Sequence, residues 1–178
     1  MNGVRWLILV VLIPAAACGA RHYGHPEQLT ASEAAAVETG VRAFAQTVAT
    51  DVTRGGPSAW CRHFAGTPAF FMALDGRLAF SDGVTGAAGI QDAARAIPQI
   101  RLIWGDAQRV DALSPSLAMF AAPYHEFLTF ADGRRQDATG YFSGLVEYRR
   151  GVNGSKQEGR WQFRNAHWSS AAALNPAQ

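Results

Sequence analysis

The chain has 178 residues and a formal net charge of +2, from 16 Lys and Arg against 14 Asp and Glu. That length suits one domain of ordinary size. No Lys/Arg block runs along the chain, so the electrostatic footprint of a nucleic-acid binder is missing. Lys156 is the single lysine, and positive charge is nearly all Arg.

Arg5 stands near the start, and Trp6 through Ala17 follows without a charge. Ala15, Ala16 and Ala17 then lead into Cys18 and Gly19. A basic start, an apolar core of roughly 7–15 residues and a small-residue cleavage site describe a secretory signal, expected over residues 1–17. The run is shorter than the roughly 20 apolar residues of a spanning helix. Ala-Ala-Ala-Cys-Gly resembles a bacterial lipobox, with Ala15 where Leu is usual. The resemblance implies cleavage before Cys18, acylation of that cysteine with chains such as palmitate, and a lipid-anchored place at the cell envelope, on the periplasmic side in a Gram-negative cell. More than one acyl chain makes such an anchor stable.

Removing Arg5 with the signal leaves 15 basic against 14 acidic residues, a net charge of +1. With Cys18 lipidated, Cys61 has no intramolecular partner and reads as a small apolar residue beside Trp60 and Phe64. Residues 18–29 read as a lipidated tether, polar and broken by Gly24 and Pro26. His22 and His25 in such a segment make a weak metal site.

Thr30-Ala-Ser-Glu opens the first helix. Either Thr30 or Ser32 caps it, with Glu33 placed for a capping box from Thr30. Ala34, Val37, Val41, Phe44, Ala45 and Val48 then form one apolar stripe. Gly55-Gly56-Pro57 ends it. A short helical piece over 58–64 sets Trp60 and Phe64 on one face. The runs 70–74 and 77–80 read as strands joined by an Asp75-Gly76 hairpin turn. Ser81-Asp82-Gly83 closes the hairpin, and a short helix over 89–97 carries Ile90, Ala94 and Ile97. Strands are expected over 100–104, 108–113, 117–130, 135–149 and 160–169, with turns at Ser114-Pro115-Ser116, Ala131-Asp132-Gly133 and Gly151-Val152-Asn153-Gly154. Helices first and a long antiparallel meander after them is the α+β pattern. No repeat and no second domain is visible; residues 171–178 read as a C-terminal tail.

Three features carry a resemblance to a known family. They are Phe71-Met72-Ala73-Leu74-Asp75-Gly76-Arg77 with Gly83 following, the helix over 89–97, and the ending Trp161-Gln162-Phe163-Arg164-Asn165-Ala166-His167-Trp168-Ser169. With the element order, they make residues 30–170 resemble the SnoaL-like branch of the nuclear-transport-factor-2-like superfamily. The resemblance implies a cone-shaped, cystatin-like fold, in which a long N-terminal helix packs on a curved antiparallel sheet around a pocket. The family includes isomerases, cyclases, dehydratases and oligomerisation domains, so function must be argued from a site.

Residues two apart on a strand share a face. Phe120, Tyr124, Glu126 and Leu128 share one, against Met119, Ala121, His125 and Phe127. Thr139, Tyr141, Ser143 and Glu147 oppose Phe142, Val146 and Tyr148. Strict alternation in the last strand sets Trp161, Phe163, Asn165 and His167 against Gln162, Arg164 and Trp168. The sequence does not say which faces turn inward.

Glu126 lies in an otherwise apolar run, where a carboxyl without a partner has its pKa raised, the commonest device for a general acid or base. Glu126, His167 and Tyr141 are the catalytic candidates, and Trp60, Phe64, Trp104 and Tyr124 the ligand-binding ones. Asp82 and Asp137 read as turn residues. His63, His125 and His167 are scattered, so neither a metal nor another cofactor is expected. There is no phosphate loop and no Gly-x-Ser-x-Gly elbow.

Three readings follow. The first is a non-catalytic, envelope-anchored pocket for a small apolar or amphipathic molecule, consistent with ten Phe, five Trp and four Tyr. The second is an isomerase, dehydratase or cyclase moving a proton with Glu126, His167 and Tyr141. The third is a homodimeric assembly module using the convex face of the sheet.

Overall fold

The computed structural model describes residues 29–150 and 159–171. The signal segment, Cys18, His22, His25, the turn at 151–154 and the tail from 172 lie outside these residues.

Helix α1, Ala31–Gly55, is capped by Thr30 rather than Ser32. Thr30 Oγ1 accepts from the Glu33 backbone N–H at 3.2 Å, and Glu33 Oε2 accepts from the Thr30 N–H at 2.9 Å. Two otherwise orphaned donors are thus satisfied reciprocally. Its stripe of Val37, Val41, Phe44, Ala45, Val48 and Val52 is buried. Gly56, at φ +67°, ends α1 in a region that favours glycine. A short 3-10 helix, Pro57–Arg62, follows with proline at its first position.

Strands β1 (Phe71–Leu74) and β2 (Arg77–Phe80) form the expected hairpin, with positive φ at both Asp75 and Gly76. Helix α2 spans Gly83–Ala96 and so begins six residues before the expected start at Gly89. The reason is Asp82, whose Oδ1 accepts from the N–H groups of Val84 and Thr85 at 2.9 and 2.8 Å. Asp82 is a helix cap as well as the end of the hairpin.

The remaining strands are β3 (Gln99–Trp104), β4 (Arg109–Ser114), β5 (Leu117–Thr129), β6 (Arg135–Arg149), β7 (Arg160–Phe163) and β8 (Asn165–Ser170). They build one sheet in the order β2-β1-β8-β6-β5-β3, with β4 also paired to β5 and β7 to β6. The fold class is α+β, with α1 packed on the sheet. The meander is not wholly antiparallel, however: β1 pairs with β8 in parallel. Helix α2 intervenes between β2 and β3, and this carries the hairpin to the far side of the sheet, against β8.

The expected single strand at 160–169 is also corrected. Val146 opposes Phe163, whereas Ser143 opposes His167, so the pairing slips by one residue between β7 and β8. Arg164 occupies the slip, its N–H donating to Leu145 O at 2.7 Å, while Asn165 Oδ1 accepts from Leu145 N–H at 2.9 Å. An inserted residue inverts the parity of everything after it. Phe163 and Trp168 therefore both face inward, and His167 faces out.

Parity along the longest strands shows which face is the core. Ala118, Phe120, Ala122 and Tyr124 of β5 are buried, as are Phe142 and Val146 of β6. Phe142 meets Phe163 and Trp168 at ring-centroid distances of 4.9 and 4.4 Å. Trp104 lies beneath α1, its indole N–H donating to Ala45 O at 2.8 Å. On the edge strand β3, Leu102 N–H donates to Thr53 Oγ1 of α1 at 3.1 Å, which satisfies a group a free edge leaves open.

Candidate functional site

Helix α1 covers part of the inner face of the sheet. The 3-10 helix, α2 and the β1–β2 hairpin close around another part and leave a cavity of about 270 Å³. Trp60, Phe64 and Pro57 come from the 3-10 helix and the residues just after it, Ile90 and Ala93 from one face of α2, and Ile97 from the residue that caps its end. Met72, Leu74, Phe80, Ile100 and Trp168 complete an apolar wall. Gly89 permits this arrangement, since a side chain there meets the Phe80 ring.

Glu126 is the one titratable residue that lines this cavity among the described residues. It points inward because it continues the buried parity of β5, and its neighbours across the sheet are Leu102 and Ala138. Burial pushes its carboxyl from 4.5 to about 7, with no other group contributing to the shift. Desolvation penalises the charged form, and nothing nearby offsets it. At neutral pH the side chain is therefore divided between acid and carboxylate.

Tyr124 lies next to it on the same face and is buried. Its hydroxyl is pushed up mainly by burial, with Glu126 and Asp75 acting in the same direction and the Ser170 hydroxyl against it. Asp75 sits in the hairpin turn, where its Oδ1 and Oδ2 accept from the Ser170 N–H and hydroxyl at 2.6 and 3.1 Å.

The structure does not assemble the three catalytic candidates. Tyr141 is 42% exposed on the outer face of β6, because buried Phe142 fixes the opposite parity inward. His167 is also exposed on the outer face, as a result of the slip at Arg164. Only Glu126 reaches the cavity. Of the ligand-binding candidates, Trp60 and Phe64 line it, whereas Trp104 belongs to the core under α1 and Tyr124 stands behind the wall. Met72, Phe80, the α2 residues Ile90 and Ala93, and Ile97 at its cap are wall residues that the sequence reading did not select. The apolar spacing of α2 is their only signal.

The two other histidines among the described residues lie away from the cavity. His63 is buried, with Nε2 3.0 Å from Asp51 Oδ2, and desolvation holds its pKa below 6.5 against the raising effect of Asp51. His125 lies on the outer face, its Nε2 3.7 Å from Asp137 Oδ2 and without a hydrogen-bond partner among the described residues. No group of three or more His, Cys, Asp or Glu is gathered for a metal among the described residues. Two larger depressions, of about 340 and 470 Å³, flank the C-terminal half of α1.

Solved structures share this fold. A nuclear-transport-factor-2-like superfamily protein from Salmonella enterica superposes with a TM-score of 0.59 at 13% identity, covering 84% of this chain and 99% of that one. The fold is the nuclear-transport-factor-2-like cone. A putative scytalone dehydratase from Novosphingobium aromaticivorans gives 0.62 at 10% identity, over 80% and 89% of the two chains. An uncharacterized cystatin-like protein from Caulobacter vibrioides gives 0.55 at 14% identity, over 76% and 90%. No family model matches the sequence, and no curated protein matches it. In this cone the cavity lies inside the curve of the sheet, and Glu126 is its single ionisable wall residue among the described residues.

Proposed function

We propose that the protein is an envelope-anchored pocket domain that binds one small, largely apolar molecule, with Glu126 as the polar anchor. The observation that carries this reading is the composition of the cavity: aromatic and aliphatic walls with one convergent polar group, as in small-molecule sites generally. An apolar cavity of roughly 150 Å³ takes benzene, so about 270 Å³ suits one or two fused rings. The test is calorimetric titration with naphthol, using wild type and a variant, Ala93→Phe, that fills the cavity from α2. Saturable one-to-one binding that the variant loses supports the reading; equal uptake by both proteins contradicts it.

Anchoring rests on the Ala-Ala-Ala-Cys-Gly sequence at Cys18 and belongs to the same proposal. So does pairing of two copies, supported by the exposed Met119, Tyr141 and Ile103 on the outer sheet face and tested by sedimentation.

A second reading is proton transfer on a bound carbonyl compound, with Glu126 as the base. The near-neutral position of its carboxyl favours it, and a putative scytalone dehydratase is among the proteins of similar fold. Without His167 and Tyr141 in reach, Glu126 acts alone or with Tyr124 behind it. Solvent-deuterium exchange into bound tetralone, lost in Glu126→Gln, separates this from binding alone.

A further inference from the structure

Resting on the pocket reading, we propose that the cavity selects a compact hydrophobic cation, an amine of one or two rings, whose ammonium group is neutralised by the Glu126 carboxylate.

Among the described residues, no Lys, Arg or His lines the cavity. From β5 itself, Tyr124 is the neighbouring titratable group, and from the hairpin turn it is Asp75, whose charge reaches Tyr124. The 3-10 helix presents Pro57 and Trp60, α2 and its cap present Ile90, Ala93 and Ile97, and β3 presents Ile100. Across the sheet, β3 and β6 place Leu102 and Ala138 beside it. The groups from the 3-10 helix, α2, β3 and β6 are uncharged. Among the described residues, this end of the cavity thus holds oxygen groups of negative or partly negative character and no cation.

Three ligand classes fare differently there. An anion meets Glu126 and finds no positive group. A neutral ring compound fills the volume but leaves an ionised carboxylate in an apolar wall without a partner, which costs free energy. A cation supplies the missing partner. Trp60 and Trp168 are both in the lining and pack edge to face on each other, with ring centroids 5.0 Å apart, so the selection of a cation rests on Glu126.

The sign of the pH dependence separates a cation from a neutral acceptor. An alkylammonium group of ordinary pKa, about 10, stays charged throughout the range of interest. Its affinity therefore rises with pH as Glu126 ionises and levels off above about 7. A ligand carbonyl needs the protonated acid as donor, so its affinity falls over the same range. At pH 5.5 the amine is expected to bind about 30-fold more weakly than at pH 8.5, a factor of ten for each pH unit below the carboxyl's midpoint.

The experiment is calorimetric titration of the purified protein with naphthylmethylamine, naphthylmethanol and naphthoate, which share a two-ring skeleton, at both pH values. The expected result at pH 8.5 is at least about tenfold tighter binding of the amine than of the alcohol, with naphthoate weakest. In Glu126→Gln the ratio of amine to alcohol falls to about one, and proton release on amine binding near pH 6 disappears. If the alcohol or naphthoate binds as well as the amine, or if amine affinity falls with rising pH, the cation is overturned while the pocket stands. If none of the three binds, the pocket reading falls as well.

Discussion

Replacing Glu126 by glutamine isolates the energetic consequence of placing one unpaired carboxyl in an apolar wall. Its pKa rises from 4.5 to about 7 on folding. Between those values the folded state holds a proton that the unfolded chain has released. Stability from this group is fully present below 4.5 and is lost as pH rises through about 7. Each pKa unit corresponds to about 1.4 kcal/mol, so the shift amounts to roughly 3 kcal/mol at pH 8. Glutamine keeps the shape and the hydrogen-bonding groups but cannot ionise. Glu126→Gln should therefore match the wild type in urea denaturation at pH 4.5 and exceed it at pH 8. With a slope of about 1–3 kcal/mol per molar urea, the midpoint gap at pH 8 is on the order of 1 M or more. An equal gap at both pH values, or a less stable variant at pH 8, refutes the reasoning, because either means that folding does not disfavour the carboxylate.

Further outcomes follow from other parts of the fold. Gly140→Ala should destabilise by about 2 kcal/mol or more, seen as an earlier thermal transition, because a methyl there collides with Ser169 O and the Tyr124 hydroxyl. Asp82→Ala should accelerate amide exchange at Val84 and Thr85, the two groups its carboxylate accepts from, and leave the exchange of α1 unchanged. His63 should titrate below 6.5 by NMR, because desolvation outweighs its contact with Asp51; a midpoint above 6.5 contradicts that balance. Cys18→Ser should abolish incorporation of labelled palmitate in a bacterial host, and labelling that persists overturns the lipid anchor.

Local chemistry made much of this structure legible from sequence. Thr30 and Glu33 marked the start of α1, and Asp75-Gly76 marked the hairpin, because each satisfies a rule confined to a few residues. Glu126 stood out for a similar reason, as a carboxyl in an apolar strand. Its direction was not legible: Met119, Ala121 and Pro123 are nearly as apolar as Ala118, Phe120 and Ala122, so alternation alone does not choose a face. The packing of α1 and the burial of Phe120 and Phe142 decide it.

The misplacement of His167 has one cause. Period-two reading assumes an unbroken ladder, and the slip at Arg164 inverts parity, which sends His167 outward. Only backbone pairing to Leu145 reveals that slip. The extension of α2 to Gly83 depended on recognising Asp82 and Thr85 as a capping pair. The α2 contribution to the cavity depends on how that helix sits over the sheet, which its own residues do not specify.

The central claim, a cavity that holds a small molecule, is tested most directly by native mass spectrometry of the protein purified gently from its own host. The account predicts a species heavier than the polypeptide by one small molecule, in one-to-one ratio, that disappears in Ala93→Phe. A spectrum of empty protein that stays empty after incubation with naphthylmethylamine contradicts it.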